Sequence, residues 1–255
     1  MVDPTPGAGS ADPSQEVSEE SFLSHLVELR TRLIRAALAV VIVFVCLAPF
    51  ASKIYDLLAL PMLHALPAGT RMIATGVITP FLVPVKITLL VAFVIALPVV
   101  LYQAWAFIAP GLYRHEKKLA LPIIVSSFLL FLAGIAFCYF FVFGTVFKVI
   151  NELAPKSVNV APDIDSYFSF VLSMFLAFGL TFEVPIVVVV LVRFGVITVA
   201  KLKEIRPYVI VGAFVVAAVV TPPDVLSQLL LAVPLCFLYE AGIIAASFVR
   251  PRETN

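Results

Sequence analysis

Six long apolar runs constrain what this chain can fold into more than any other feature of its sequence. A helix needs ~20 predominantly apolar residues to cross the ~30 Å hydrocarbon core of a bilayer, and most of these runs approach or exceed that length. In lipid each run must be helical, because unpaired backbone groups find no water to bond. The predicted spans are residues 33–50, 87–108, 119–147, 167–192, 208–220 and 225–249.

The composition supports a membrane protein with several spans. Hydrophobic residues make up 62% of the chain and charged residues 13%, a balance that would leave a soluble domain with a largely apolar surface. The predicted fold class is an all-α polytopic membrane protein, with six helices of unequal length in a concave bundle. Residues 21–249 form the predicted transmembrane domain, preceded by a disordered cytoplasmic tail (1–20, without features of a cleavable signal) and followed by a short one (250–255).

Basic residues predict the orientation of these spans. If the N-terminus is cytoplasmic, that side carries twelve of the 17 lysines and arginines and the other side carries five. Cytoplasmic loops are enriched in lysine and arginine, so both termini are predicted to face the cytoplasm. The five on the other side are Lys53, Arg71, Lys86, Lys148 and Lys156.

The predicted spans differ strongly in length. The fifth, 208–220, has thirteen residues and is only ~20 Å long at 1.5 Å per residue, too short for the full hydrocarbon core. The third, 119–147, has 29 residues. On the outer side, 51–80 and 151–165 are long enough to form a cap. The first of these begins with a predicted short amphipathic surface helix that Pro61 breaks.

Polar residues inside the spans are candidates for function. Glu183 and Glu240 each lie ten residues from a predicted cytoplasmic boundary, hence ~15 Å deep, where ionisable side chains are costly. Either acid could be a protonated partner of a neighbouring helix, or a site for a partner's side chain or a proton path. Thr221 and Gln228 form a second polar group, for which capping and interhelical hydrogen bonds are the plain alternative.

The sequence gives no support for an enzyme. The three histidines lie outside the spans, so neither an intramembrane Ser–His pair nor an HExxH zinc motif can form, and no GxxxxGK[ST] loop is present. The three cysteines lie in apolar runs and are interpreted as small fillers. We therefore predict no cofactor and no metal, and the net charge of +1 gives no reason to expect a nucleic-acid partner. A transporter, a channel, or a receptor and scaffold remain.

Two acids lie close to the membrane on the predicted cytoplasmic side. Glu28 precedes the first span in HLVELRTRL, and Glu116 lies in the loop GLYRHEKK. Singly, each could be neutralised by its neighbours, Glu28 by Arg32 at i+4. Together, two carboxylates at one face could hold two guanidinium groups, whose planar fork suits a carboxylate better than the ammonium of lysine.

Four stretches in this order and spacing closely resemble the TatC family: HLVELRTR, LPVVLYQAWAFIAPGLYRHEKK, FGLTFEVP and RPYVIVGAFVVAAVVTPPD. The resemblance covers roughly residues 20–249. It implies a cupped six-helix receptor subunit of the twin-arginine translocase, located in the bacterial cytoplasmic membrane. By this resemblance Glu28 and Glu116 match the signal-binding carboxylates, and Arg30 and Phe107 match other residues of the recognition surface.

The resemblance also implies roles for residues elsewhere in the chain. Pro61 matches an important proline of the first outer loop, Asp224 the acid of the TPPD turn, and Glu183 the intramembrane glutamate. Thr221 and Gln228 match a polar cluster where single-span TatA and TatB helices dock. The sequence departs from the family pattern at 217–218, where two alanines offer no larger or polar group to a partner.

The implied function is binding of paired-arginine signal peptides on folded precursors and assembly of TatA- and TatB-like partners in a multimeric complex. Without a nucleotide site, the energy for export would come from the proton motive force. The alternative is a proton-coupled secondary transporter that uses Glu183, which predicts solute flux by this chain alone. A purely structural membrane anchor would leave both cytoplasmic glutamates replaceable.

Overall fold

The computed structural model describes the backbone of residues 13–65, 72–108, 117–153, 162–221 and 225–248, and within these ranges the side chains of 26–60, 72–107, 121–149, 162–221 and 225–248. Among these residues the structure is helical, with no named strand. The α-helices are α1 (Pro13–Leu47), α2 (Ala51–Ala65), α3 (Thr79–Ile108), α4 (Lys117–Phe137), α5 (Phe143–Leu153), α6 (Ile164–Arg193), α7 (Val199–Glu204), α8 (Arg206–Val220) and α9 (Val225–Ser247).

The predicted all-α membrane architecture is confirmed. Five helical stretches are long and apolar enough to cross a membrane: Leu26–Leu60, Thr79–Phe107, Leu121–Val149, Ile164–Arg193 and Val225–Ser247. The sixth apolar helix, α8, is shorter, as the sequence predicts, with 15 residues. The concave shape of the bundle and the orientation of the termini stay predictions.

Two helices extend beyond the bounds that the sequence predicts. Helix α1 begins at Pro13, within the segment 1–20 that the sequence predicts to be disordered. A short 3₁₀ turn, Ala48–Phe50, joins α1 to α2, so the first span and the predicted surface helix follow each other without a loop between them. Helix α2 runs to Ala65 and is therefore not broken at Pro61; the missing N–H of a proline does not always end a helix, since water or neighbouring groups can satisfy the freed carbonyl.

Helix α6 lies at the centre of the bundle. It packs against α9, α4 and α3, whereas α1 packs mainly on α3 and buries none of its most apolar stretch. The core around α6 is aromatic: the ring centroids of Phe143 and Phe175 lie 5.3 Å apart, and those of Phe137 and Phe178 lie 5.7 Å apart. Such tilted ring pairs add to the stabilisation from buried area.

Two glycines let α4 and α6 approach closely. A Cβ placed on Gly134 of α4 would lie 2.5 Å from the backbone oxygen of Phe178, and one on Gly179 of α6 would meet the ring of Phe131. Backbone approach of this kind is typical of membrane helices that pair through small residues. The crossing therefore leaves no room for even one methyl group at Gly134.

The end of the bundle where α3 and α6 begin is tied by polar contacts, and we name it the Asp163 end. Ile73 and Asp163 form a parallel β-bridge, with the Ile73 amide donating to the Pro162 carbonyl (3.0 Å) and the Ile164 amide to the Ile73 carbonyl (2.9 Å). Lys86 of α3 forms a 2.8 Å ion pair with Asp165. The described parts of the two predicted cap segments therefore pair with each other.

Gly134→Ala is expected to lower the stability of the protein by roughly 1–3 kcal/mol, the usual cost of overpacking a tight contact. The matched control is Gly144→Ala in α5, where an added Cβ meets nothing within 4 Å; we expect it to be neutral or slightly stabilising. Thermal unfolding in detergent would measure both. Equal effects of the two substitutions would contradict a backbone contact at Gly134.

The capping role of Asp163 predicts that the stability of the protein at this end depends on pH. Its carboxylate caps α6, and hydrogen bonds from the Ser166 amide and the Thr75 hydroxyl lower its pKa from 3.8 to about 2. Because the folded-state pKa is the lower one, the carboxylate stabilises the fold above about pH 4, and this contribution is lost as the pH falls from about 4 through about 2.

We therefore expect Asp163→Asn to unfold at lower temperature than the wild type at neutral pH, with the gap closing between about pH 4 and pH 2. Melting temperatures in detergent across this range would show it. Glu204→Gln, which removes an exposed partner of Lys201 far along the chain, serves as the control. A gap that is unchanged with pH would contradict the capping role.

Candidate functional site

Glu28 lies on α1 at the end of the bundle opposite to Asp163, and we name this the Glu28 end. The side chain of Glu28 is 42% exposed, and Arg32 one turn later donates from Nε (2.9 Å) and Nη2 (2.6 Å) to its Oε1. The i+4 pairing that the sequence predicts is thus present. A partly exposed pair of this kind contributes little to stability.

An apolar pocket of about 220 Å³ opens beside this ion pair, between α1 and the last turns of α3. Leu29, Leu33 and Ala36 form the α1 wall, and Arg32 lines it at the side nearer to Glu28. The wall from α3 includes Gln103 and Phe107. The structure therefore brings two residues of the predicted recognition surface, Glu28 and Phe107, to one end of the same helix pair.

Of the two other residues predicted at this end, Arg30 and Glu116, the structure describes only the first. Arg30 is exposed on α1 and is not among the residues that line the pocket. Glu116 lies outside the described residues. Its pairing with Glu28 across one binding face stays a prediction.

Glu183 of α6 is buried, with 8% of the residue exposed, and neither carboxylate oxygen has a hydrogen-bond partner among the described residues. The hydroxyl of Ser127 on α4 is close enough to act on this carboxyl but not at hydrogen-bond distance and geometry. Ser127 instead accepts a hydrogen bond from Nε1 of Trp105 (3.1 Å). A buried carboxyl without a partner is costly, which makes Glu183 a candidate for function and not for stability.

Glu240 does not share this environment, which corrects its predicted grouping with Glu183. Arg206, at the start of α8, donates from Nη2 to Oε2 of Glu240 at 2.7 Å, and both side chains are about two-fifths exposed. Next to it, the hydroxyl of Tyr239 donates to the Leu202 carbonyl (2.9 Å). Counting residues to the end of the span missed this pairing, because the partner comes from another helix. Glu240 therefore joins α9 to α8, and Tyr239 joins α9 to α7.

The side chains of Thr221 and Gln228 both form hydrogen bonds within the chain. The Thr221 hydroxyl is buried and donates to the Ala217 carbonyl (2.8 Å), and Nε2 of Gln228 donates to the Phe214 carbonyl (3.2 Å). The second bond links α9 to α8. The plain alternative considered for these residues, capping and interhelical hydrogen bonding, therefore describes their contacts in the isolated chain.

Two further predicted residues receive no side-chain description. Pro61 lies within the backbone of α2, and its side chain is outside the described residues. Asp224 lies between α8 and α9, also outside them. Within the part of the chain that is described, no group of three His, Cys, Asp or Glu side chains could hold a metal ion.

Sequence reasoning missed Gln103, Trp105 and Ser127. Gln103 is 9% exposed and its Oε1 has no partner among the described residues, whereas Trp105 and Ser127 bond to each other. The signal was present in the run VLYQAWAF, where a glutamine and a tryptophan interrupt an apolar span. Polar groups in such a span seek partners on neighbouring helices.

A multi-pass helical membrane protein with a charged end and a buried acid at its centre is the class that this fold and these sites define. The family model of TatC, described as Sec-independent protein translocase protein, matches residues 24–234. The chain belongs to the TatC family and is a subunit of a Sec-independent protein translocase of the bacterial inner membrane.

Individual relatives agree with this assignment. TatC of Escherichia coli (strain K12) is 48% identical over 92% of this chain and 92% of its own length. TatC of Halothiobacillus neapolitanus is 50% identical over 94% of this chain, which spans 66% of that longer relative. A crystal structure of the twin arginine translocase receptor TatC is 41% identical, with a TM-score of 0.78, and the match covers 88% of this chain and 98% of that one.

The unpartnered state of Glu183 predicts that Glu183→Leu raises the thermal stability of the purified protein, by roughly 1–3 kcal/mol, the cost of a buried unsatisfied polar group. Glu240→Leu is the matched control on the neighbouring helix. It removes the partner of Arg206 and should leave stability unchanged or lower it by up to about 1 kcal/mol. If Glu183→Leu were the more destabilising of the two, Glu183 would have a structural partner.

Proposed function

We propose that this chain is the receptor and core subunit of a twin-arginine translocase. It binds paired-arginine signal peptides of folded precursors through Glu28 and Glu116, with Arg30 and Phe107 as parts of the same surface. The observation that carries the proposal is Glu28 itself: a partly exposed carboxylate at the bundle end, with Arg32 on one oxygen and an apolar pocket beside it. A guanidinium followed by apolar chain is the ligand that suits such a surface.

Arg32 acts in this proposal as an internal stand-in for the ligand. A carboxylate at a membrane edge is costly when unpaired, and the Arg32 pair keeps Glu28 charged and oriented without a peptide. The ligand's guanidinium then replaces or shares a contact that already exists. The free-energy difference between arginine and lysine arises because only the guanidinium offers two parallel donors.

The proposal extends to partners and energy. Single-span TatA- and TatB-like helices would dock along α8 and α9, and several copies of the chain would associate in one receptor complex. Support comes from Val211, Val215 and Val219, which are exposed on one face of α8, while Thr221 and Gln228 are bonded within the chain. Docking would therefore begin on the apolar face. With no P-loop in the sequence, the proton motive force would supply the energy.

The distribution of basic residues favours one side of the membrane for binding of the signal peptide. Twelve basic residues against five favour cytoplasmic termini, so the Glu28 end would face the cytoplasm, where precursors are made. Membership in the TatC family favours this translocase function over the alternative, a proton-coupled transporter that uses Glu183.

The test is binding of a labelled peptide with paired arginines, and of its paired-lysine counterpart, to the protein in nanodiscs. We expect arginine-selective binding that Glu28→Gln and Glu116→Gln each weaken by about 1.5–3 kcal/mol, or roughly 10- to 150-fold, the range for hydrogen bonds to charged groups. Titration by fluorescence anisotropy measures each affinity.

Glu204→Gln is the matched control, because it removes an exposed acid that is paired to Lys201 away from the pocket. It should leave peptide affinity unchanged. Equal binding of arginine and lysine peptides, together with full tolerance of both site substitutions, would refute the receptor function of these glutamates.

A further inference from the structure

A second charged group lies at the Glu28 end of the bundle, away from the pocket between α1 and α3. It is formed by residues 193–206, which include α7 and the first residue of α8, together with Glu240 of α9, and we name it the α7 corner. Its charged residues are Arg193, Lys201, Lys203, Glu204, Arg206 and Glu240. Four cations against two acids give this corner a net charge of +2.

Packing of α7 on the bundle determines which way its lysines point. Leu202 is 3% exposed and belongs to an apolar cluster with residues of α6 and α9. Its backbone carbonyl also accepts a hydrogen bond from the hydroxyl of Tyr239 (2.9 Å). Because Leu202 faces inward, the residues on either side of it, Lys201 and Lys203, lie on the exposed surface of α7.

The cations of the α7 corner keep donors that its acids do not use. Lys203 is exposed and forms no ion pair within the described part of the chain. Lys201 donates from Nζ to Glu204 (3.1 Å) and its side chain is 55% exposed, so further N–H groups of the ammonium remain for a ligand. Arg206 holds Glu240 through Nη2 and its Nε is buried, which places it at the edge of the site.

Exposed residues along α8 indicate the level of the α7 corner in the bilayer. Tyr208 is 77% exposed, and the exposed residues that follow it on α8 are apolar, among them Val211 and Val219. Tyrosine is enriched at the level of the lipid headgroups, so the hydrocarbon core begins beyond Tyr208. Arg206 and the lysines of α7 precede Tyr208 and therefore lie among the headgroups.

A phospholipid headgroup is the anion that is abundant at this level. Its phosphate presents several acceptor oxygens, which suit the donors of ammonium and guanidinium groups. Basic groups between membrane helices bind anionic headgroups. The net charge of +2 favours a headgroup with net negative charge over a zwitterionic one, and the apolar side of α7 is already buried against the bundle, which leaves little for a protein partner.

We propose that the α7 corner binds the phosphate of one anionic phospholipid, with Lys201 and Lys203 as its main ligands and Arg206 at its edge. The bound headgroup holds the start of α8 at the membrane surface. A helix of 15 residues is ~22 Å long and cannot set its own depth in a ~30 Å core. The site is separate from Glu28 and does not depend on the proposed receptor function.

The experiment uses the full chain in detergent micelles, titrated separately with phosphatidylglycerol, which is anionic, and phosphatidylcholine, which is zwitterionic. Native mass spectrometry resolves each bound lipid and measures its affinity. We expect one phosphatidylglycerol to bind more tightly than any phosphatidylcholine. Lys203→Gln should weaken it about five-fold and the double variant Lys201→Gln, Lys203→Gln roughly 25-fold, the loss of one and of two surface cations. Lys203→Arg, which keeps the charge, should retain it.

Arg35→Gln is the matched control, because Arg35 is an exposed cation on α1 at the same end of the bundle but outside the α7 corner. It should leave the tightly bound lipid in place. Equal losses from Arg35→Gln and Lys203→Gln would reveal diffuse attraction between the protein and anionic lipid and would overturn the proposal. Equal affinities of the wild type for the two lipids would do the same.

Inorganic phosphate, added at constant ionic strength, distinguishes a lipid site from a site for free phosphate. It should not displace the lipid, whose acyl chains also contact the protein. Displacement would assign the corner to a soluble anion and overturn the proposal.

Thermal unfolding provides a second measurement on the same variants. A ligand that binds only the folded state raises the apparent stability, so phosphatidylglycerol should raise the melting temperature of the wild type more than that of Lys203→Gln. Since Lys203 is exposed, this single variant keeps the test valid if the double variant fails to fold. An equal rise in both proteins would contradict a role of Lys203 in lipid binding.

Discussion

The close crossing of α4 and α6 is the contact on which the arrangement at the centre of the bundle depends. Gly134 meets the backbone of Phe178, and Gly179 meets the ring of Phe131. Residues four apart share a face of a helix, so the face of α6 that carries Gly179 also carries Glu183, and the face of α4 that carries Phe131 also carries Ser127. The glycines thereby bring Ser127 next to the buried acid.

The two ends of the bundle are built on different interactions. At the Asp163 end, a β-bridge, a helix cap and the Lys86–Asp165 pair fasten the beginnings of α3 and α6. At the Glu28 end, α1 is held chiefly by α3, and a half-exposed ion pair lies beside an open pocket. The Asp163 end is thus fastened by polar contacts between elements, whereas the Glu28 end carries a partly exposed ion pair beside a pocket.

Polar contacts with α9 hold the short helix α8 near both of its ends. Arg206 holds Glu240 at its start, and Gln228 bonds the carbonyl of Phe214 toward its finish. With 15 residues, α8 is ~22 Å long and does not match a ~30 Å hydrocarbon core. Bonds to α9 therefore fix a helix that lipid alone would hold poorly, and leave its opposite apolar face exposed.

Much of this architecture follows from the sequence. The six spans, the shortness of α8 and the pairing of Glu28 with Arg32 could be predicted because they depend on local spacing: apolar length sets a span, and residues four apart on a helix meet. Only the tertiary structure decided the environments of Glu183 and Glu240. Glu183 and Glu240 lie at the same distance in sequence from a predicted membrane boundary. Glu183 nevertheless lies near Ser127 without a hydrogen bond, whereas Glu240 forms an ion pair with Arg206. The buried and unpartnered Oε1 of Gln103 could not be predicted either. Whether a polar group in lipid finds a partner depends on which helix packs beside it, and local spacing does not specify that neighbour.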